Sequence, residues 1–131
     1  MKLLLDTHIW IWSFLEPYKV SSEVSQALTN PQNDRFLASI SIWEAILLLE
    51  KKRIRFDRDF GKWFSASKEE LSLIEVPMTW QVAHELRFTM LGYKDPGDRF
   101  LVATAKVYDL TLVTADERLM RVPGIRVLPN R

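Results

Sequence analysis

The first residues limit the fold of this chain most, above all the run Lys2-Leu3-Leu4-Leu5 closed by Asp6, Thr7 and His8. A short apolar run with a helix signal directly behind it suits a strand buried at the centre of a sheet. This one ends on a carboxylate. An ionised Asp at the mouth of a sheet is costly unless something positive meets it. Either the free N–H groups of the following helix supply that partner, or a metal ion does.

The rest of the chain reads as one domain, residues 1–131, built around that strand. Its 131 residues are 47% hydrophobic, enough for a sizeable core. With 18 basic against 17 acidic residues the net charge is only +1, so no overall field marks a nucleic-acid or membrane binder. The absence of cysteine excludes disulfides and thiolate metal sites and fits a reducing cytoplasm. Asp6 and His8 interrupt the opening apolar run too early for a signal peptide, and no stretch approaches the ~20 apolar residues needed to span a bilayer. The expectation is a cytoplasmic protein without a membrane partner.

Behind the first strand, His8 to Leu15 reads as a helix stopped at Glu16-Pro17. Ile9, Trp10, Ile11, Trp12, Phe14 and Leu15 leave it almost no polar face, so it must be covered on more than one side, by its own domain or by a partner. A second helix, capped by Ser21 or Ser22, ends at Asn30-Pro31, and Arg35 to Ser39 follows as a strand. Ser41 opens a helix to about Arg53, in which Ser41 and Glu44 have the spacing of a capping box. Lys51, Lys52, Arg53 and Arg55 then form a basic run, read either as a solvated face or as a phosphate-binding patch. Trp63 and Phe64 close a short amphipathic helix, and 71–76 reads as a third strand. A helix over 79–91 takes Trp80, Ala83, Leu86 and Met90 as its buried stripe. Asp98 is placed to N-cap a helix from Arg99 to Tyr108. Leu110 to Thr114 is a strand, Ala115-Asp116-Glu117 begins a short helix, and Ile125 to Leu128 is the last strand. Such alternation implies a parallel sheet with helices on both faces.

Asp6, Glu44, Asp98 and Asp116 each have a structural account as a helix cap. Their joint placement points elsewhere. In an open parallel sheet the carboxyl ends of the strands lie along one edge, where ligands bind, and the helices that follow strands begin there. Four acids would meet in one crevice, where their repulsion calls for a cation. An all-oxygen ligand set favours Mg²⁺ or Mn²⁺, which serve phosphate chemistry. No glycine-rich phosphate loop is present. A dehalogenase-type phosphatase would need an Asp where His8 stands. A receiver domain would need one at the end of the third strand, which instead reads Ile74-Glu75-Val76-Pro77.

Four segments, Leu4-Leu5-Asp6-Thr7-His8, Ser41-Ile42-Trp43-Glu44, Asp95-Pro96-Gly97-Asp98-Arg99 and Thr114-Ala115-Asp116, occur in this order over essentially the whole length. On these segments the chain resembles a PIN-domain ribonuclease, in particular the VapC-like toxins of prokaryotic toxin–antitoxin pairs. The resemblance implies a three-layer α/β/α sandwich and a Mg²⁺- or Mn²⁺-dependent endoribonuclease. Its catalytic and metal-binding acids would be Asp6, Glu44, Asp98 and Asp116, with Thr7, Thr114 and Asp95 shaping the site. It also implies a homodimer and a cognate antitoxin; Trp10, Trp12, Trp43, Ile46 and Leu47 are the candidate groove for either. Lys51, Lys52, Arg53 and Arg55 are the candidate RNA contacts. Gly97 stands where many relatives carry phenylalanine, and Tyr93 where histidine is frequent. A non-catalytic RNA-binding or interaction domain on the same scaffold, and a metal-dependent DNA nuclease or phosphatase, are the alternatives at this point.

Overall fold

The computed structural model of the chain describes residues 1–89 and 92–131. Among the described residues there are five strands, β1 (Lys2–Leu5), β2 (Asp34–Ala38), β3 (Ile74–Val76), β4 (Thr111–Thr114) and β5 (Arg126–Pro129). All pair in parallel, in the order β3-β2-β1-β4-β5, so the apolar run at the start of the chain is the middle strand. Leu3, Leu4 and Leu5 are completely buried. Because side chains alternate along a strand, Leu3 and Leu5 enter one core with Ile9, Ile11, Val24, Trp63 and Val113. Leu4 enters the other, with Leu101, Val102, Ala105, Leu112 and Leu119. Each buried leucine contributes roughly 1.5–3 kcal/mol relative to exposure, so both faces have to be roofed.

The roofs are helical, which makes the three layers α/β/α. On the Leu3/Leu5 face lie α1 (Thr7–Leu15), α2 (Ser22–Thr29) and α4 (Phe60–Leu71). On the Leu4 face lie α6 (Pro96–Tyr108) and α7 (Glu117–Met120), with α5 (Trp80–Glu85) packed against α6. The helix α3 (Ser39–Glu50) contributes to both, through Ile40 on one side and Ala45 on the other. No helix among the described residues is long and apolar enough to cross a membrane.

Several local expectations change. β2 passes directly into α3, whose N-cap is Ala38; Ser41 therefore lies inside the helix and forms no capping box with Glu44. The helix that was to close at Trp63 and Phe64 continues to Leu71 and stops on left-handed Ser72, which shortens the next strand to Ile74–Val76. The helix expected over 79–91 is a six-residue α-turn capped by Thr79, followed by a 3₁₀ turn at Leu86–Phe88. The buried stripe fails with it. Trp80 is 96% exposed and Ala83 is exposed, Leu86 is half-buried, while Val82 and Thr89 face inward; Met90 and Leu91 lie outside the described residues. Asp98 is not a cap either. Asp95 is, accepting the Asp98 N–H at 3.3 Å, and Pro96 takes the first helical position, where its missing N–H costs nothing.

Trp10 leaves the set of surface candidates altogether. It is fully buried, packs on Trp63 at 5.0 Å between ring centroids, and donates its indole N–H to Ser67 Oγ at 3.2 Å. An all-apolar α1 is thus explained on this side by its own core. Trp10→Ala is expected to cost about 3–5 kcal/mol, read as a lowered urea midpoint with an unchanged slope. Trp43→Ala, at a position 46% exposed, should stay within about 1 kcal/mol.

Candidate active site

The strand order reverses between β1 and β4: the chain builds outward through β2 and β3, then returns to the other side of β1. A crevice at such a switch point, outside the carboxyl ends of the strands, is where open α/β sheets bind ligands. Asp6 directly follows β1 and Asp116 lies two residues beyond β4. Glu44, from the second turn of α3, and Asp98, from the first turn of α6, reach the same place. A cavity of about 330 Å³ is lined by Asp6, Glu44, Asp95, Asp98 and Asp116, with His8 and Arg118 at its wall.

Two threonine hydroxyls hold two of the acids. Thr114 donates to Asp6 Oδ2 at 2.6 Å and accepts the Asp116 N–H at 3.0 Å, tying the ends of β1 and β4 together. Thr7 Oγ1 lies 2.7 Å from Glu44 Oε1 and 2.9 Å from Ser41 Oγ. A hydroxyl has one proton and a carboxylate only accepts, so while Glu44 is ionised the Thr7 proton goes to Glu44 and Thr7 accepts from Ser41. The Asp6 side chain makes no cap hydrogen bond to α1, and although the His8 N–H in the first turn favours its ionised form, burial still raises its pKa.

Gly97 lets Glu44 reach the crevice. It is buried in the first turn of α6, and a Cβ there would stand 2.3 Å from Glu44 Oε2 and 2.7 Å from its Cδ. Phenylalanine at this position would require a different course for Glu44.

The electrostatics divide the acids. Burial pushes Asp98 up to about 7, with repulsion from Asp95, Asp6 and Asp116 adding to it. Burial also raises Glu44 and Asp6, against the hydrogen bonds from Thr7 and Thr114 that favour their ionised forms. Asp116 moves the other way, because Arg118 binds it. The guanidinium lies 2.7 Å from Asp116 Oδ2, 3.1 Å from Asp116 Oδ1 and 3.3 Å from Asp98 Oδ2. Asp116 also caps α7, accepting the Arg118 N–H at 2.9 Å. As they lie, the acids line one cavity without closing into a cage: among the described residues no three acidic or histidine side chains are grouped tightly enough to hold one ion.

Arg118 is the residue that sequence reasoning missed. Its signal was available, since a cation in the first turn of a helix opposes the helix dipole unless an acid pairs with it. The basic run is divided by the turn that ends α3. Lys52 is left-handed there, with φ 58°, and the Arg53 N–H returns to Leu48 O at 2.9 Å. Lys51 and Arg53 are thereby brought to a second cavity, shared with Trp43, Leu47, Glu44 and Gly97; Lys52 and Arg55 do not line it.

Residues 3–125 match the PIN domain family, and the chain belongs to that family. It is 32% identical to ribonuclease VapC22 of Mycobacterium tuberculosis (strain ATCC 25618 / H37Rv) over 118 residues, 89% of this chain and 88% of that protein. Similar folds occur in VapBC2 from Rickettsia felis bound to a promoter DNA fragment, with 14% identity, TM-score 0.72 and 98% of each chain covered. FitAcB from Neisseria gonorrhoeae is 22% identical with TM-score 0.64, covering 98% of this chain and 97% of that one.

The raised Asp98 value has a signed consequence for stability. A carboxylate with a higher folded than unfolded pKa leaves the native state holding the extra proton, so its contribution is full below about pH 4 and is lost as pH rises through about 7. Asp98→Asn deletes that charge, and the helix cap stays with Asp95. The variant should melt at a higher temperature than the parent at pH 7.5 in EDTA, and by a smaller margin at pH 5. Equal loss of stability at both pH values would show that Asp98 is held by something other than acid repulsion.

Proposed function

We propose that this chain is a divalent-metal-dependent endoribonuclease and the toxin of a toxin–antitoxin pair. The observation that carries it is the meeting of Asp6, Glu44, Asp98 and Asp116 at the switch point of the sheet. The family assignment supports nuclease chemistry, and the ribonuclease name of VapC22 supports RNA as the substrate. A similar fold in a toxin–antitoxin complex from Klebsiella pneumoniae supports an antitoxin partner and, with it, a cytoplasmic site of action.

The donor set fits Mg²⁺ or Mn²⁺. It is made only of carboxylate oxygens, the ligands hard divalent ions prefer. Arg118, the one guanidinium among the described residues at this cavity, faces Asp6, Glu44, Asp95, Asp98 and Asp116, so the cluster has more negative charge than Arg118 balances. Burial together with the neighbouring carboxylates raises Asp6, Glu44 and Asp98. Asp6, Glu44, Asp98 and Asp116 would hold the ion, which when bound supplies Lewis-acid polarisation of the phosphate and of an attacking water. Thr114 and Thr7 aim Asp6 and Glu44 and, by donating to them, favour their ionised forms against burial. Asp95 fixes the start of α6 and hence the position of Asp98. Arg118 balances part of the charge of Asp98 and Asp116, and being 57% exposed it can swing aside at little cost.

Trp12 and Ile46, on the adjacent helices α1 and α3, are the apolar surface we assign to the antitoxin or to a second copy in a homodimer. Trp12 also lines the acid cavity, and Trp43 and Leu47 border the cavity beside it.

RNA cleavage is expected with Mn²⁺ and none in excess EDTA; full activity in EDTA would sink the metal mechanism. Asp6→Asn, Glu44→Gln, Asp98→Asn and Asp116→Asn should abolish cleavage with circular dichroism unchanged. Thr114→Val and Thr7→Val, which remove only the orienting hydroxyls, should reduce the rate by about 10–100-fold. DNA cleaved as readily as RNA would move the assignment to a general nuclease.

Arg118→Gln separates the counter-ion from the ligands. Melting in EDTA should fall at pH 7.5, and the upward shift produced by added Mn²⁺ should grow, because binding to the native state alone stabilises it. An unchanged Mn²⁺ shift would mean that Arg118 and the metal do not compete.

A further inference from the structure

The two edges of the sheet are finished differently. β5 ends on Pro129, which has no N–H to offer a further strand. β3, at the other edge, presents Ile74-Glu75-Val76, with Ile74 42% exposed and Glu75 exposed. Neighbouring residues of a strand turn their backbone groups to opposite sides. Val76 O is turned towards β2, where Ser39 Oγ donates to it at 3.4 Å, so the N–H and C=O of Glu75 face away from the sheet.

Beside that edge lies an apolar cavity of about 360 Å³. Leu37 and Glu75, level with each other in the register, line it on the sheet side with Leu73; Ile42 of α3 and Phe64 and Lys68 of α4 line it on the helix side. A side chain that points to this face from a strand laid against β3 would enter it. An open edge supplies main-chain hydrogen bonds, and a cavity under alternate residues supplies selectivity; together they recognise an extended chain. Either feature alone would be ordinary, since a short strand carrying a charge is how many sheets discourage edge pairing.

The charge at the edge says what kind of chain fits. Among the described residues Glu75 has no ion-pair partner. Lys68, across the cavity, turns its ammonium over the Phe64 ring, 4.6 Å from the centroid. A second copy is a poor occupant. Two copies joined through one edge are related by a two-fold axis and run antiparallel, so about the middle residue of β3 one Glu75 would face the other. Like charges directly opposite destabilise a strand pair, and opposite charges stabilise it.

We propose that the free edge of β3 is a docking site for an extended basic segment of a partner protein, which continues the sheet, places an apolar side chain in the cavity under α4 and sets a lysine or arginine against Glu75. The segment alternates, because only every second side chain of a strand reaches that face. The proposal does not depend on the ribonuclease reading, and Glu75 lines no part of the acid cavity.

The test uses the full chain and fluorescein-labelled peptides of the pattern Ser-Arg-Thr-Leu-Thr-Arg-Ser, with leucine, isoleucine, valine, phenylalanine, methionine or glycine at the centre. Affinity is read by anisotropy. Glycine at the centre should bind about tenfold or more weakly than the best apolar residue, since it leaves the cavity empty. Replacing the peptide arginines by glutamate should weaken binding about fivefold, and Glu75→Lys should reverse that preference. N-methylation of the central residue and of the threonine beside it should differ, one abolishing binding and the other sparing it, because alternate N–H groups face β3. The Glu75 amide should exchange with deuterium more slowly in the bound state. Glu75→Pro should lose binding and melt close to the parent, since proline is tolerated on an edge where the N–H faces solvent; the N-methylated peptides carry the same test with the parent protein.

Failure of every peptide in the set to bind the parent overturns the proposal. So does binding that ignores Glu75→Lys, the central residue and both N-methylations, which would mark a contact elsewhere on the surface. A dimer seen in sedimentation that Glu75→Pro dissociates and the peptides do not displace would give the edge to a second copy of the chain, and would likewise overturn it.

Discussion

The hydrogen bond from Thr114 to Asp6 is the interaction on which the site depends. It joins residues 108 apart in sequence, at the ends of the two strands between which the sheet reverses its order. Sheet register alone brings them together. Leu5 pairs with Val113, and the Asp6 N–H continues the ladder to Val113 O at 3.0 Å, so the next residue of β4 meets the next residue of β1. A slip of one residue would turn Asp6 away from the crevice and put leucines on the wrong faces. The two cores that bury Leu3, Leu4 and Leu5 therefore also fix the position of a carboxylate that could not be buried by itself.

The same dependence explains what was legible beforehand. Leu3 to Leu5 reads as a central strand because nothing polar interrupts it, and the acids follow from where strands end. Cap positions were less legible because two acids flank the same helix start. In Asp95-Pro96-Gly97-Asp98, proline at the first helical position selects Asp95 as cap, and Asp98 is left to face the crevice. Glu44 matched a capping box by spacing, but the helix begins two residues earlier, and the Thr7 hydroxyl takes the carboxylate that a local cap would have used. Trp80 failed because periodicity cannot reveal that a helix stops after six residues, and a short turn exposes a ring that a longer helix would have buried. Trp10 was ambiguous for the opposite reason. A helix apolar all round states that it is covered, and only tertiary packing on Trp63 states by what.

What remains is the question of how the fold tolerates so much negative charge in one place. Arg118 compensates unevenly: it makes two short contacts to Asp116, which titrates low, and one longer one to Asp98, which burial and the neighbouring acids still push up to about 7. Glu44 is admitted by the missing side chain of Gly97 and held by the hydroxyl of Thr7, which favours its ionised form. The two devices differ in kind. A buried hydroxyl is fixed for as long as α1 stands, whereas an exposed arginine can leave. A cluster held partly by each is stable enough to fold with its acids converged, yet keeps an unmet demand for positive charge centred on Asp98. That demand would give a divalent cation a reason to bind there, and it would vanish if a permanent cation were built into the wall.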